Sequence, residues 1–133
     1  MLKNPATYFK AQQEVDKVVG KGKITVDHLK HLHYMEAILR ETLRLEPTAP
    51  VFVRGLRDDN KERTPTLGGG KYALKQDAEM MCLLAKIQRD PAVYGEDANE
   101  FIPERMLDEH FEKLPKHAWK VSVFIQTLVI DVH

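Results

Sequence analysis

Tyr34-Met35-Glu36-Ala37-Ile38-Leu39-Arg40-Glu41-Thr42-Leu43-Arg44-Leu45-Glu46-Pro47-Thr48-Ala49-Pro50 is the stretch whose reading decides the fold of this chain. Met35, Ile38, Leu39, Thr42 and Leu43 recur at i, i+3, i+4, i+7 and i+8, so a helix over 34–45 carries one largely apolar face. Glu36 and Arg40 stand on the opposite side as an i, i+4 pair. Glu41 and Arg44, three apart, lie on neighbouring turns of one face; alone they read as a solvated ion pair worth about 0.5 kcal/mol. Pro47 and Pro50 end the helix and force extended chain.

Downstream of that helix, Val51-Phe52-Val53 reads as a strand. Thr66-Leu67 and Tyr72-Ala73-Leu74 read as a hairpin around Gly68-Gly69-Gly70, with a charged loop over 57–63 before it. The apolar run over 80–87 fits strand or helix equally by periodicity. Asp90-Pro91 opens a single helical turn that Gly95 closes, and 96–117 reads as loop, rich in acids and prolines. The tail over 121–132 is apolar and β-prone. Upstream, Asn4-Pro5 starts a helix over 6–19 that Gly20 stops, and Thr25 caps a short helix to about Lys30.

Composition narrows the class. A chain of 133 residues is enough for one core. Twenty basic against 20 acidic residues and a net charge of zero give no footprint for nucleic acid. No apolar run reaches the roughly 18 residues a membrane span needs, and the N-terminal residues lack the apolar core of a secretory signal. One cysteine, Cys82, excludes an internal disulfide and suits a reducing compartment, so the expected location is cytoplasmic.

The chemistry rests on Glu41-Thr42-Leu43-Arg44 being followed, after the hairpin, by Phe101-Ile102-Pro103-Glu104-Arg105. An arginine delivered by that later loop would let one carboxylate receive two planar guanidinium forks. Buried, such a cluster specifies geometry more than it adds stability, because desolvation offsets the attraction. These motifs, with the 34–50 stretch and Lys86-Ile87-Gln88-Arg89-Asp90-Pro91-Ala92-Val93-Tyr94-Gly95, resemble the haem-thiolate monooxygenases of the cytochrome P-450 family. The wording is similar to the fungal and bacterial fatty-acid hydroxylases fused to a flavin reductase, over about 2–120.

The resemblance implies an α+β, mainly α fold: 1–120 as a fragment of a haem domain, truncated at both ends, and 121–133 as an unrelated apolar tail. It implies that Glu41, Arg44 and Arg105 form a structural triad, that Arg54 meets a haem propionate, and that Ala49, Pro50, Val51 and Phe52 line substrate. It further implies haem b as cofactor, an NADPH-dependent flavin reductase, fused or separate, as partner, and hydroxylation of a lipophile such as a fatty acid. The family's cysteine loop, Phe-x-x-Gly-x-Arg-x-Cys-x-Gly, is expected just after Lys120, where the chain reads Val121-Ser122-Val123-Phe124-Ile125. The expectation is therefore an inactive chain with no catalytic residue or metal ligand of its own, its tail the product of a retained intron or a shifted frame. Apolar faces of the first three helices are expected to be exposed and prone to self-association. The alternative is a non-enzymatic helical interaction module, or a gene-model product without function.

Other residue patterns carry less. Cys82 sits in the apolar run Met80-Met81-Cys82-Leu83-Leu84 and reads as a small hydrophobe, not an iron ligand. His28, His31 and His33 lack a third ligand at a metal-binding spacing and read as surface histidines, while His117 marks a position only. Gly68-Gly69-Gly70 is a turn with no phosphate-binding context.

Overall fold

The helix that packs on both α1 and the later irregular segment is α3, His33–Leu45, in a computed structural model that describes residues 4–55, 66–75, 78–116 and 118–119. Before it come α1 (Pro5–Val18) and α2 (Val26–Leu29); after it come strands β1 (Val51–Gly55), β2 (Thr66–Leu67), β3 (Tyr72–Ala73) and β4 (Glu79–Leu83). Three short α-helices follow, α4 (Leu84–Ile87), α5 (Pro91–Tyr94) and α6 (Asp108–Glu112), with a 3-10 helix, Pro103–Met106, ahead of the last. The fold is mixed α and β and mainly helical. Among the described residues no helix is long and apolar enough to cross a membrane.

The apolar stripe of α3, a face expected to be exposed, is so at Leu39 and Thr42 but not at Ile38, and the buried side carries Glu41 and Arg44. Ala37, Ile38, Glu41 and Arg44 are buried, whereas Leu39 is 59% exposed and Thr42 is exposed too. The reason lies in what packs there. The segment over 88–106 presents backbone carbonyls to α3, and carbonyls need donors that an aliphatic face cannot supply. Of the expected stripe, Met35 lines a shallow groove with Tyr8, Ala11, Gln12 and Val15 of α1.

The start of α3 is capped from outside the helix. Leu32 offers no capping side chain; instead Glu14 of α1 accepts from the backbone N–H of Tyr34 at 2.7 Å and of Met35 at 2.9 Å. A carboxylate at the positive end of a helix satisfies orphan donors and the dipole together. Glu14→Ala is expected to cost about 1 to 2 kcal/mol, read as a lower urea midpoint at unchanged slope. A midpoint equal to the parent's would remove Glu14 from the account. At α1 itself, Asn4 makes no side-chain cap, contrary to expectation, and the start is marked by the proline alone.

β1 and β4 pair antiparallel, Phe52 opposite Cys82 and Arg54 opposite Met80, and β2 pairs with β3. Alternation half-buries Phe52, Arg54, Met80 and Cys82 and leaves Val51, Val53, Met81 and Leu83 exposed. The ambiguous run over 80–87 is both elements in succession: strand to Leu83, then helix from the buried Leu84. The β2–β3 turn holds Gly68, Gly69 and Gly70 at φ of 62°, 65° and 91°, a region that side chains with a Cβ rarely occupy.

The 96–117 region is less loop-like than its composition suggests, since it holds the 3-10 helix and α6. Helices of one turn are too short to show a period, and these are held by tertiary contact. The core beneath them is Ala37, Tyr94, Ala98 and Met106, with Val93, Leu107, Phe111, Leu114 and Trp119 packed around it. The charged loop over 57–63, His117 and the tail over 121–133 lie outside the described residues.

Candidate functional site

Glu41 and Arg44 are both fully buried, and the i, i+3 spacing on α3 lets their planar ends meet side by side. Arg44 Nε donates to Glu41 Oε2 at 2.7 Å and Nη2 donates to Oε1 at 2.8 Å, a bidentate pair. The remaining donors go to main chain: Nη1 to the carbonyls of Gln88 at 2.7 Å and Ala98 at 2.6 Å, Nη2 to that of Glu100 at 3.1 Å. A guanidinium has five N–H groups, and here every one is used. The Tyr94 ring lies 4.7 Å from the guanidinium carbon. Burial pushes the Tyr94 phenol above its usual range, with the Arg44 cation acting in the opposite direction.

Glu41 reaches the later segment as well. Its Oε1 accepts from the backbone N–H of Ile102 at 3.0 Å and lies 3.3 Å from Arg105 Nε, an ionic contact without hydrogen-bond geometry. Arg105 Nη1 donates to the Tyr94 carbonyl at 2.7 Å, and Nη2 donates to that of Asp97 at 3.1 Å and meets the Asp97 carboxylate at 3.1 Å. Glu41, Arg44 and Arg105 are therefore brought together: the first two tie α3 to the irregular chain over 88–105 at the backbone of Gln88, Ala98, Glu100 and Ile102, and Arg105 braces that chain on itself at Tyr94 and Asp97.

The turn that feeds this cluster has its own local logic. Asp90 Oδ1 accepts from Ala92 N–H at 2.9 Å, Pro91 occupies the first helical position without losing a bond, and Gly95 closes α5 at φ 85°. That closure aims the carbonyls of Tyr94, Asp97 and Ala98 back at the two arginines.

A second polar cluster lies nearer the start of α3. Arg40 Nη1 donates to the Met106 carbonyl at 3.1 Å and to Asp108 Oδ1 at 2.9 Å, and Asp108 Oδ2 meets His33 Nδ1 at 2.7 Å. Glu104 pairs with Lys10 of α1 and accepts from the Tyr34 hydroxyl at 3.1 Å. Hydrogen bonds from Arg40 and then His33 hold the Asp108 carboxyl below its ordinary value of 3.8. For Glu104 partial burial acts upward, but hydrogen bonds from Lys10, its own backbone and Tyr34 outweigh it and leave the carboxyl below 4.5. Both folded values are depressed, so the stability they contribute is present above the ordinary carboxylate range and lost as pH falls through the folded values. The urea midpoint is expected to drop between about pH 5 and pH 3, and to drop less in Asp108→Asn. Parallel acid limbs for the two proteins would rule Asp108 out as a contributor.

Ala49 and Pro50, expected beside a substrate, lead into β1, where Val51 is exposed and Phe52 half-buried. Arg54 sits on the half-buried side of β1, 5.8 Å from the Phe52 ring, and its buried Nε has no hydrogen-bond partner among the described residues. His28 Nδ1 accepts from the Thr25 backbone N–H at 3.1 Å as part of the α2 start, and His33 is taken by Asp108. Among the described residues no group of three or more His, Cys, Asp and Glu is placed to hold a metal ion. Sequence reasoning missed Glu14, Tyr94 and the ring of backbone carbonyls. Carbonyls carry no sequence signal at all, and a distant cap such as Glu14 has none in a single chain.

A fully buried Glu–Arg pair on one helix, cross-tied by a second arginine to an irregular proline-flanked segment, defines a class of scaffold in which loops are pinned by charge. Residues 1–120 match the Cytochrome P450 family, and the chain belongs to that family. It is 60% identical over 121 residues to a bifunctional cytochrome P450/NADPH–P450 reductase of Aspergillus oryzae, and 52% identical over 120 residues to a self-sufficient cytochrome P450 monooxygenase of Oidiodendron maius. A bifunctional cytochrome P450/NADPH–P450 reductase of Fusarium oxysporum is 47% identical over 123 residues. Each comparison covers 90% of this chain, which spans only 11% of the length of each relative.

Proposed function

We propose that this chain is the part of a haem-thiolate monooxygenase haem domain that carries the structural triad Glu41, Arg44 and Arg105, and that it contributes scaffold, not chemistry. One observation carries the reading: all five Arg44 donors are used, three of them on carbonyls of the irregular segment. Such saturation holds loops with no ladder of their own in one conformation, as a cofactor-bearing domain requires. We place a unit over 1–120 and a separate tail over 121–133.

Haem b is the cofactor this reading requires. The orphaned buried Nε of Arg54 fits the role of a donor to a propionate, while Cys82, in a ladder opposite Phe52, fits packing and not an axial ligand. When bound, haem would supply oxygen activation, for which the family uses a cysteine thiolate. Ala49, Pro50, Val51 and Phe52 would flank a lipophilic substrate such as a fatty acid, and an NADPH-dependent flavin reductase, joined to the P450 in the Aspergillus oryzae and Fusarium oxysporum relatives, would be the electron donor.

The test replaces the matching segment of the Aspergillus oryzae relative with residues 1–120 of this chain, then reduces it and adds carbon monoxide. The hybrid is expected to show the red-shifted Soret band of thiolate-ligated haem, and the 133-residue chain mixed with haem is expected to lack it. A soluble hybrid without haem, or the band in the chain alone, overturns the reading. The interaction-module alternative is favoured by the exposed Tyr8, Phe9 and Leu39; a soluble monomer with cooperative unfolding and no haem uptake would support it.

A further inference from the structure

Arg40 takes no part in the buried triad, yet it collects more tertiary partners than any surface arginine on α3 needs. Its guanidinium holds the Met106 carbonyl and Asp108, and its carbon stands 4.2 Å from the centre of the Phe111 ring. Phe111 in turn meets Trp119 edge-on, with ring centres 5.0 Å apart and planes at 85°. Trp119 closes the circuit, because its Nε1 donates at 3.1 Å to the backbone carbonyl of Arg40 itself. One residue before it, the Ala118 carbonyl accepts from the Tyr94 hydroxyl at 3.1 Å. The last described stretch of chain is thus held at two points: by Tyr94, which stacks on the buried triad, and by Arg40, one turn before Arg44 along α3.

We propose that Arg40 is a positioning residue, which docks Phe111 and Trp119 on α3 and so sets where the chain passes residue 119. This rests on the proposed reading, in which the cysteine loop of the parent domain follows that point, and it adds an anchor independent of Glu41, Arg44 and Arg105. A planar guanidinium suits the task. It stacks on an aromatic ring and donates in its own plane at once, which an ammonium cannot do. The residue's 17% side-chain exposure keeps these bonds partly out of water, whereas its ion pair to the 53% exposed Glu36 faces solvent and contributes little to the docking.

Trp119 is the single tryptophan of the chain, so its fluorescence reports on this docking without haem. In the 133-residue chain, Arg40→Leu is expected to raise the acrylamide quenching constant at least about twofold, as local opening exposes the indole. Glu36→Gln is the control and is expected to leave quenching unchanged. Asp108→Asn, which keeps the shape and removes the charge of one Arg40 partner, serves where Arg40→Leu is poorly folded, and a smaller rise is expected. In the hybrid described above, Arg40→Leu is expected to retain haem while losing a large part of the thiolate-type band to the unligated form, and Trp119→Phe to act in the same direction. Quenching constants equal to the parent's in both Arg40→Leu and Asp108→Asn, or a hybrid band unaffected by Arg40→Leu, overturn the assignment. A parent hybrid that never takes up haem counts against the proposed function instead, and the quenching result then decides the docking role by itself.

Discussion

Arg44→Leu is expected to destabilise the fold by about 3 to 5 kcal/mol, the largest single-residue effect in the chain. The substitution leaves the Glu41 carboxylate fully buried with only the Ile102 amide and a poorly aligned contact from Arg105. It also takes the Arg44 donors away from the carbonyls of Gln88, Ala98 and Glu100. An uncompensated buried charge costs far more than the net attraction of the intact pair, since the pair's Coulomb energy is largely offset by desolvation. With domain stabilities of about 5 to 15 kcal/mol, a loss of this size leaves little or no cooperative transition. Arg44→Lys retains the charge but loses the bidentate fork, and falls between parent and Arg44→Leu. Urea unfolding followed by circular dichroism decides it: a shift worth less than about 1 kcal/mol in Arg44→Leu would mean that water reaches Glu41 and that the cluster is not sealed.

Met106→Ala is expected to cost about 2 to 5 kcal/mol by opening a cavity. Met106 is fully buried at the end of the 3-10 helix, and its buried neighbours Ala37 and Ala98 are too small to move into the space. Collapse is further opposed by the Arg40 bond to the Met106 carbonyl, which fixes the backbone from the other side. Met106→Leu conserves volume and is expected to stay within about 1.5 kcal/mol of the parent. The comparison of the two variants is the measurement: equal midpoints for Ala and Leu would show that the site relaxes freely and that packing here is not specific.

Much of the outline is legible in the sequence. The helix over 34–45, the strand at 51–53 and the hairpin around Gly68-Gly69-Gly70 each correspond to an observed element, because a strong period, a pair of prolines and a run of glycines act locally. The turn from Asp90-Pro91 to Gly95 is equally local. Legibility fails where one element answers to another. The side of α3 that is buried, the split of 80–87 into strand and helix, and the small helices over 103–112 are all settled by neighbours. At the site, the residue types Glu41, Arg44 and Arg105 could be singled out from their order, but Tyr94, Glu14 and the six backbone partners could not.

What the sequence by itself determined was periodicity, chain breaks and which charged groups were available to pair, since each depends on a few neighbouring residues. Only the tertiary structure decided that α3 turns its charged side inward. Arg44 lies inside because the carbonyls of Gln88, Ala98 and Glu100, from a segment without a ladder, converge where five donors can meet them. That convergence is a property of backbone positions distant in the chain, and no side-chain pattern along α3 encodes it.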